Sequence, residues 1–202
     1  MRDFVLQGNK PGALRSDEEM AVIDKAVADA AFKSRKSKMD SFLQQKGFVK
    51  YKTNAYLRRN SIDVLEHIGL QKEAYGSKTF TVNYCLTPLY VPHNVFSYDL
   101  GNRLGYLICN RDVWWDYSDE QAAEVSFRNV QDAIDTFLIP WFEDKSTKAS
   151  LKQELLNKKK RLESIGVRFY QQDWIDAIEN EKDYSEIINK NFDVLKLPKK
   201  LR

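Results

Sequence analysis

A chain of 202 residues, 43% of them hydrophobic and 30% charged, has the composition of a folded globular protein, which excludes disorder along most of its length. Its 32 basic and 29 acidic residues leave a formal charge of +3, a smaller excess than the strongly basic face typical of nucleic-acid binders. No apolar run reaches the roughly 20 residues needed to span a bilayer, and residues 1–16 lack a signal-like apolar core, so we expect no membrane association and a cytoplasmic location.

The N-terminal third of the chain predicts an arm followed by helix. Residues 1–15 show no hydrophobic period and are interpreted as the arm. Ser16 begins the helix, because Ser16 and Glu19 have the spacing of a capping box. Apolar residues at helical spacing continue as far as Gly47, which supplies the stop. The basic run at 33–38 interrupts the apolar stripe and marks either a solvated middle or a join between two helices.

From Phe48 onward the hydrophobic period changes to two, which is typical of strands. The predicted strands cover residues 55–59, 62–70 and 80–86, with turns at Asn60-Ser61 and around Gly76, and two further strands at 104–109 and 113–117. Connections this short cannot contain a parallel crossover, so we expect antiparallel pairing.

The remainder of the chain predicts helices. Residues 118–121 have the sequence of a second capping box, and Pro140 is expected to end the helix that follows at Ile139. Residues 145–202 are rich in Lys and Glu and are interpreted as a helical C-terminal appendage packed on a core domain at 16–144. The elements together predict an α+β fold, a mostly antiparallel sheet packed by two long helices.

Several short motifs carry a resemblance to a known family. They are Lys46-Gly47-Phe48, Tyr56-Leu57-Arg58, the turn from Gln71 to Gly76, Arg103-Leu104, Trp114-Trp115 and Ile139-Pro140-Trp141-Phe142. Together they resemble the bacterial family catalogued as domain of unknown function 4304, over roughly residues 36–144. The resemblance implies a fold and carries over no reaction, because the family has no assigned activity.

Patterns for bound metals and nucleotides are missing from the sequence. It contains no CxxC or HExxH, and two histidines are too few for the usual four-ligand zinc sites. It also contains neither GxGxxG nor GxxxxGK[ST], the glycine-rich loops that bind nucleotide phosphates. We therefore predict no metal and no cofactor. Cys85 and Cys109 are expected to be reduced.

Two adjacent tryptophans are the leading candidates for a binding surface. On a strand, Trp114 and Trp115 face opposite ways, so only one of them can point into the core. Tryptophan is enriched at binding hot spots, which favours this pair as an interface. The alternative is that both rings are covered, one by a helix and one by the C-terminal residues, since a tryptophan buries a large area.

The sequence offers little for catalysis. His67 is expected on the exposed, polar side of its strand, and His93 lies in a proline-bounded loop, a common place for functional residues. An enzyme acting on a small molecule would require a pocket that gathers His67 or His93 with Arg58, Arg103 or Asp112. Nothing near either histidine in the sequence completes a nucleophile, base and orienting group.

The leading functional hypothesis is a non-enzymatic module that binds another protein, of an immunity or regulatory type. The candidate binding residues are Trp114, Trp115, His93 and Arg103. Weak nucleic-acid binding is a further alternative, because the clusters Lys33–Lys38, Lys158–Arg161 and Lys196–Arg202 could neutralise phosphates if they shared one face. Aromatic residues for base stacking are not interleaved with these clusters, which favours solvated helix faces instead.

Overall fold

The computed structural model describes residues 25–96, 100–180 and 182–202. The arm at 1–15 and the helix start at Ser16 lie outside these ranges. The helices are α1 Lys25–Gln45, α2 Leu104–Cys109, α3 Glu120–Ala133, α4 Ile139–Asp144, α5 Lys148–Ser164, α6 Gln172–Glu179 and α7 Ser185–Val194. The strands are β1 Val49–Lys52, β2 Ala55–Arg59, β3 Val64–Lys72, β4 Thr79–Pro88, β5 Leu100–Arg103 and β6 Trp115–Asp116. The predicted α+β class is confirmed.

The strands form one antiparallel sheet in the order β1-β2-β3-β4-β5, and β6 pairs with the start of β4. In this register His67 of β3 lies between Leu57 and Cys85. Successive side chains of a strand point to opposite faces. Val64 and Ile68 therefore belong to the first face of the sheet, and Leu57 and His67 belong to the second face.

The main hydrophobic core lies between the first face of the sheet and helices α1 and α3. Its centre is aromatic: the ring of Phe32 in α1 lies 5.4 Å from that of Phe80 in β4 and 5.3 Å from that of Phe127 in α3. The geometry of the first pair is edge-to-face, a favoured arrangement that adds to the stabilisation from burial. These contacts hold α1 and α3 side by side on the sheet.

The basic run at 33–38 does not separate two helices, because α1 is continuous through it. Lys36 is buried within the apolar stripe, and its Nζ donates to Asp40 Oδ1 at 3.1 Å. Asp40 also accepts from Lys50 Nζ at 2.9 Å and from the hydroxyl of the buried Tyr56. The ammonium of Lys36 is thus paired at the edge of the core, which lets the helix stripe continue past a charged residue.

Residues 104–109 form helix α2, so the prediction of a fourth strand there was wrong. The edge strand is β5, which ends at Arg103 directly before the helix begins. Six residues of apolar sequence fit a buried strand and a short helix equally well, since periodicity cannot separate them at this length. Asn110 ends the helix in the left-handed conformation at φ 54°, and its N–H donates to the Tyr106 carbonyl.

The prediction that Pro140 ends the second long helix was also wrong. A π-helical turn at Ile134–Leu138 follows α3, and α4 then carries the helix to Asp144. Pro140 has no N–H to donate within this continuous run, and the π-helical turn directly before it, where the Ile139 N–H donates to the Ile134 carbonyl, is the local departure from the α-helix. At the other end, Asp119 is the cap, because its side chain accepts the Ala122 N–H at 2.7 Å.

The C-terminal residues cover part of the second face of the sheet. Phe192 of α7 and the leucines after it pack on leucines from β2, β3 and the end of β4. This second-face cluster contains Leu57, Leu65, Leu89, Phe192, Leu195, Leu197 and Leu201. Helices α5 and α6 instead contribute apolar side chains to the main core. None of the helices in the described ranges is long and apolar enough to cross a bilayer.

Candidate functional site

An open depression of about 700 Å³ occupies the part of the second face that the C-terminal residues leave uncovered. Its walls are the β1–β2 turn at residues 52–55 on one side and the edge strand β5 on the other. Its floor consists of residues from β3 and β4. We call this region the sheet depression. A volume of this size lies within the range of ligand sites in proteins.

The floor is low because small residues lie side by side across the strands. Ala55, Gly69 and Asn83 are neighbours in one row, and Gly101 is the neighbour of Cys85 in the next row. Further along the same face, the second-face cluster fills the space with leucines instead. The depression is therefore a consequence of side-chain size at successive positions of the sheet.

Two glycines that line the depression, Gly69 on the floor and Gly101 in the β5 wall, have no space for a larger side chain. A Cβ on Gly101 would lie 1.9 Å from the Tyr84 carbonyl oxygen, far inside van der Waals contact. A Cβ on Gly69 would lie 2.8 Å from Cε1 of His67. Strand β5 can approach β4 this closely only because position 101 lacks a side chain.

His67 is 1% exposed, so the prediction of an exposed histidine was wrong. Its ring lies 5.1 Å from the ring of Phe96. Its Cε1 atom occupies the space in which a side chain at position 69 would lie. Burial, with a smaller contribution from the charge of Lys52, lowers the pKa of His67 to about 4. The imidazole is therefore neutral at pH 7, and a pKa this low makes it a weak general base.

The rim of the depression carries positive charge. Lys52 lies at the β1–β2 turn, and its Nζ is 5.0 Å from the centre of the Tyr51 ring. Arg103 lies at the end of β5, where Nη1 donates to the Asp112 carboxylate and the guanidinium stacks 5.0 Å from the Trp114 ring. None of the described residues that line the depression is acidic.

Amide side chains supply the other polar groups. Asn83 Nδ2 donates to Gln71 Oε1 at 2.8 Å across the floor, and Asn54 lines the wall formed by the β1–β2 turn. An amide offers a donor and an acceptor, so these groups can bind a ligand that presents both. The depression thus combines polar recognition groups with two cations.

The structure separates the two tryptophans of the predicted interface. Trp115 is 6% exposed and pairs with Phe80 across β6 and β4, which places it in the main core. Trp114 is half-buried and lies against Arg103 at the edge of the depression. Of this pair, only Trp114 is placed where it could contact a ligand.

Other candidate residues are divided between different surfaces. His67 and Arg103 both line the depression. His93 lies under the C-terminal residues, where its N–H donates to Asn191 Oδ1 at 3.0 Å and its ring Nε2 donates to the Pro88 carbonyl at 2.6 Å. Arg58 belongs to the first face, where its Nε is 2.5 Å from the carboxylate of the buried Glu66. The depression therefore brings together His67 and Arg103, one of the combinations that the enzyme alternative requires, whereas His93 and Arg58 lie elsewhere.

Sequence reasoning missed Lys52, Asn54, Asn83 and Asn102, which line the depression. One signal for them was present, because an isolated glycine inside a strand pattern indicates a close approach of backbones, and Gly69 is such a residue. Among the described residues, no group of three or more His, Cys, Asp or Glu side chains is arranged to hold a metal ion.

The family model described as "Domain of unknown function (DUF4304)" matches residues 39–144. This is just over half of the chain, so the protein belongs to this family, and the resemblance found in the sequence is confirmed. All residues that line the sheet depression fall within the matched range. Neither the curated proteins nor the solved structures contain a match.

Proposed function

We propose that the protein is a non-enzymatic cytoplasmic binding protein, of an immunity or regulatory type, that recognises another protein through the sheet depression. The observation that supports the proposal is the open depression itself, with a polar rim on an edge strand and a turn. An opening along the edge of a sheet gives a protruding segment of a partner access from the side.

The residue types at the rim support binding of a protein. Arginine and tryptophan dominate binding hot spots, and here Arg103 and Trp114 stack on each other next to the opening. The Asp112 carboxylate also fixes the Arg103 guanidinium, because it accepts a hydrogen bond from Nη1. A side chain fixed in this way loses little conformational freedom on binding, which favours affinity.

The chemistry of the lining residues disfavours catalysis. The imidazole in the depression is neutral and buried, and the second histidine lies elsewhere in the fold. The side-chain hydroxyl at the depression belongs to Thr53, whereas the Tyr84 ring points to the first face, 4.9 Å from the Trp141 ring. A threonine hydroxyl needs an adjacent general base to act as a nucleophile at pH 7, and the neutral His67 is a weak base.

The first basic cluster offers few charges for nucleic acid. Lys36 is buried and bound to Asp40, while the guanidinium of Arg35 pairs with both Glu120 and Glu124. Lys38 lies 3.7 Å from the same Glu124 carboxylate. These ion pairs neutralise much of the cluster, so a protein partner is the better supported hypothesis.

The test is affinity capture with a variant that fills the depression. Asn83→Trp places a large ring on the floor, and Ser77→Trp puts the same ring on an exposed turn as the matched control. Each tagged protein is incubated with a lysate of the source cells, after circular dichroism has shown that the fold is intact. We expect a stoichiometric protein partner with the wild type and Ser77→Trp, and its loss with Asn83→Trp. Retention by Asn83→Trp would contradict the proposal.

A further inference from the structure

We infer that the segment of the partner that enters the sheet depression is acidic and extended. This inference rests on the proposed function and concerns the chemistry of the same site. The carboxylates of the segment bind at the rim between Lys52 and Arg103. Its backbone meets the amide side chains on the floor and walls.

The charges in the depression are of one sign. Lys52 and Arg103 line it, and no aspartate or glutamate is among the described lining residues. A smaller cavity of about 320 Å³ between the β2–β3 turn and the C-terminal helices shows the contrast, because Asp63 and Asp183 line it together with Lys148 and Lys182. The depression is thus selective for negative charge, since complementary charge attracts the correct partner and like charge excludes others.

Both cations have binding capacity left. Among the described residues, Lys52 has no carboxylate within ion-pair distance, and its ammonium is exposed at the turn. Arg103 donates one N–H to Asp112, and a guanidinium has five N–H donors in a planar fork. An incoming carboxylate can therefore bind to Arg103 while the Asp112 contact is kept, which holds the guanidinium in place.

The uncharged groups favour a polypeptide over other anions. The amides of Asn54, Gln71 and Asn83 line the depression, and because Asn83 Nδ2 donates to Gln71 Oε1, the Gln71 donors and the Asn83 acceptor are left for a ligand. The peptide backbone presents the same two groups alternately along its length. A chain of phosphates presents acceptors only, so the amide donors would bind it while the amide acceptors would stay unpaired.

The binding of a hexaglutamate peptide to the full chain tests this chemistry directly. We expect the amide NMR signals of Gly69, Gly101 and Asn102 to shift on titration, and the apparent affinity to fall as salt is added. Lys52→Glu should weaken the affinity by about tenfold or more, because it replaces an attraction by a repulsion at the rim. Hexaglutamine should bind far more weakly, and hexalysine should not shift these signals.

Lys160→Glu is the matched control, since it makes the same change of net charge at an exposed position on α5. Equal weakening by Lys160→Glu and Lys52→Glu would overturn the inference, because the effect would then be one of net charge. Absence of shifts at the three floor and wall residues would overturn it as well.

The two proposals fail in different ways. If the captured partner is lost by Asn83→Trp but binds Lys52→Glu as tightly as the wild type, the inference of an acidic segment is wrong. The proposal that the partner docks at the sheet depression is then still supported. If hexaglutamate binds through Lys52 but no protein is captured by the wild type, the proposal of a protein partner is wrong. The inference that the depression binds carboxylates is then still supported.

Discussion

At position 67 an imidazole is held without charge between a glycine and the ring of Phe96. Burial of the ring favours the neutral form, because a charged imidazolium would lose its hydration. The nearby ammonium of Lys52 acts in the same direction. This residue therefore links the stability of the fold to pH.

We expect the fold to lose stability between pH 7 and pH 5 because of His67. Its folded pKa is about 4 and the ordinary value is 6.5, so in this window the unfolded chain binds a proton that the folded chain does not. Stability is complete above the unfolded pKa and decreases as the pH falls, by about 2 kcal/mol at pH 5. Urea unfolding at each pH measures the change.

The His67→Gln variant isolates this contribution. Its carboxylates titrate as in the wild type, so the difference between the two pH profiles belongs to the imidazole. Parallel profiles from pH 7 to pH 5 would show that the folded pKa of His67 is not depressed.

Gly69 and Gly101 should differ in their sensitivity to substitution. Gly101→Ala forces a methyl group against a backbone carbonyl that cannot move independently, and we expect a loss of about 3 kcal/mol or more. Gly69→Ala meets the ring of His67, a side chain rather than the backbone, so a smaller loss of about 1–2 kcal/mol is expected. Thermal unfolding of both variants measures the difference, and an equal cost would argue against the backbone contact at Gly101.

At the scale of elements, α7 and the residues after it act as a cover for the leucine half of the second face. Phe192 is 3% exposed and lies between two guanidinium groups, with Arg59 and Arg202 at 5.4 and 5.3 Å from its ring centre. The cover is fixed further by the hydroxyl of Tyr51, which donates to the Leu195 carbonyl at 2.7 Å.

Removal of the Phe192 ring should therefore be costly. We expect Phe192→Ala to lower the free energy of unfolding by about 3–5 kcal/mol, the usual range for a buried phenylalanine. Val194→Ala on the same helix is the control, because its side chain is 40% exposed and should cost less than about 1 kcal/mol. Chemical unfolding checks both values. A loss as small as that of the control would mean that α7 does not stabilise the sheet.

Much of the sheet could be predicted from sequence because β2, β3 and β4 carry a clear hydrophobic period. Helix α2 could not, since six apolar residues have no period that excludes a strand. The sheet depression was also beyond the sequence. Its residues come from five strands and a turn, and which of them stay open depends on how far α7 extends across the second face. The sequence also predicted that His67 lies on an exposed, polar face of the sheet. In the structure His67 is buried, and α7 and the residues after it cover the neighbouring Leu57 and Leu65 on that face.

At the scale of the whole molecule, the main core does not end where the family match ends at residue 144. Leu151 and Leu155 of α5 and Trp174 and Ile175 of α6 belong to the same apolar cluster as the sheet. Their burial stabilises the sheet and the C-terminal helices together.

A chain that stops at residue 144 should accordingly fail to fold cooperatively, although it contains the complete sheet. The full chain should unfold in one transition, with equal midpoints by circular dichroism and by tryptophan fluorescence. A truncated chain with a sharp calorimetric transition would show instead that residues 145–202 are a separate unit.

The floor of the sheet depression is formed by the paired strands β3 and β4, whereas its rim is formed by side chains on a turn and an edge strand. Changes at exposed rim positions such as Lys52, Thr53 and Asn102 touch no packed core, and surface changes of this kind usually alter stability by less than about 0.5 kcal/mol. Substitutions can therefore accumulate at the rim while the sheet beneath it remains the same. For the immunity-type function proposed above, this division would allow recognition to follow a changing target without loss of the fold.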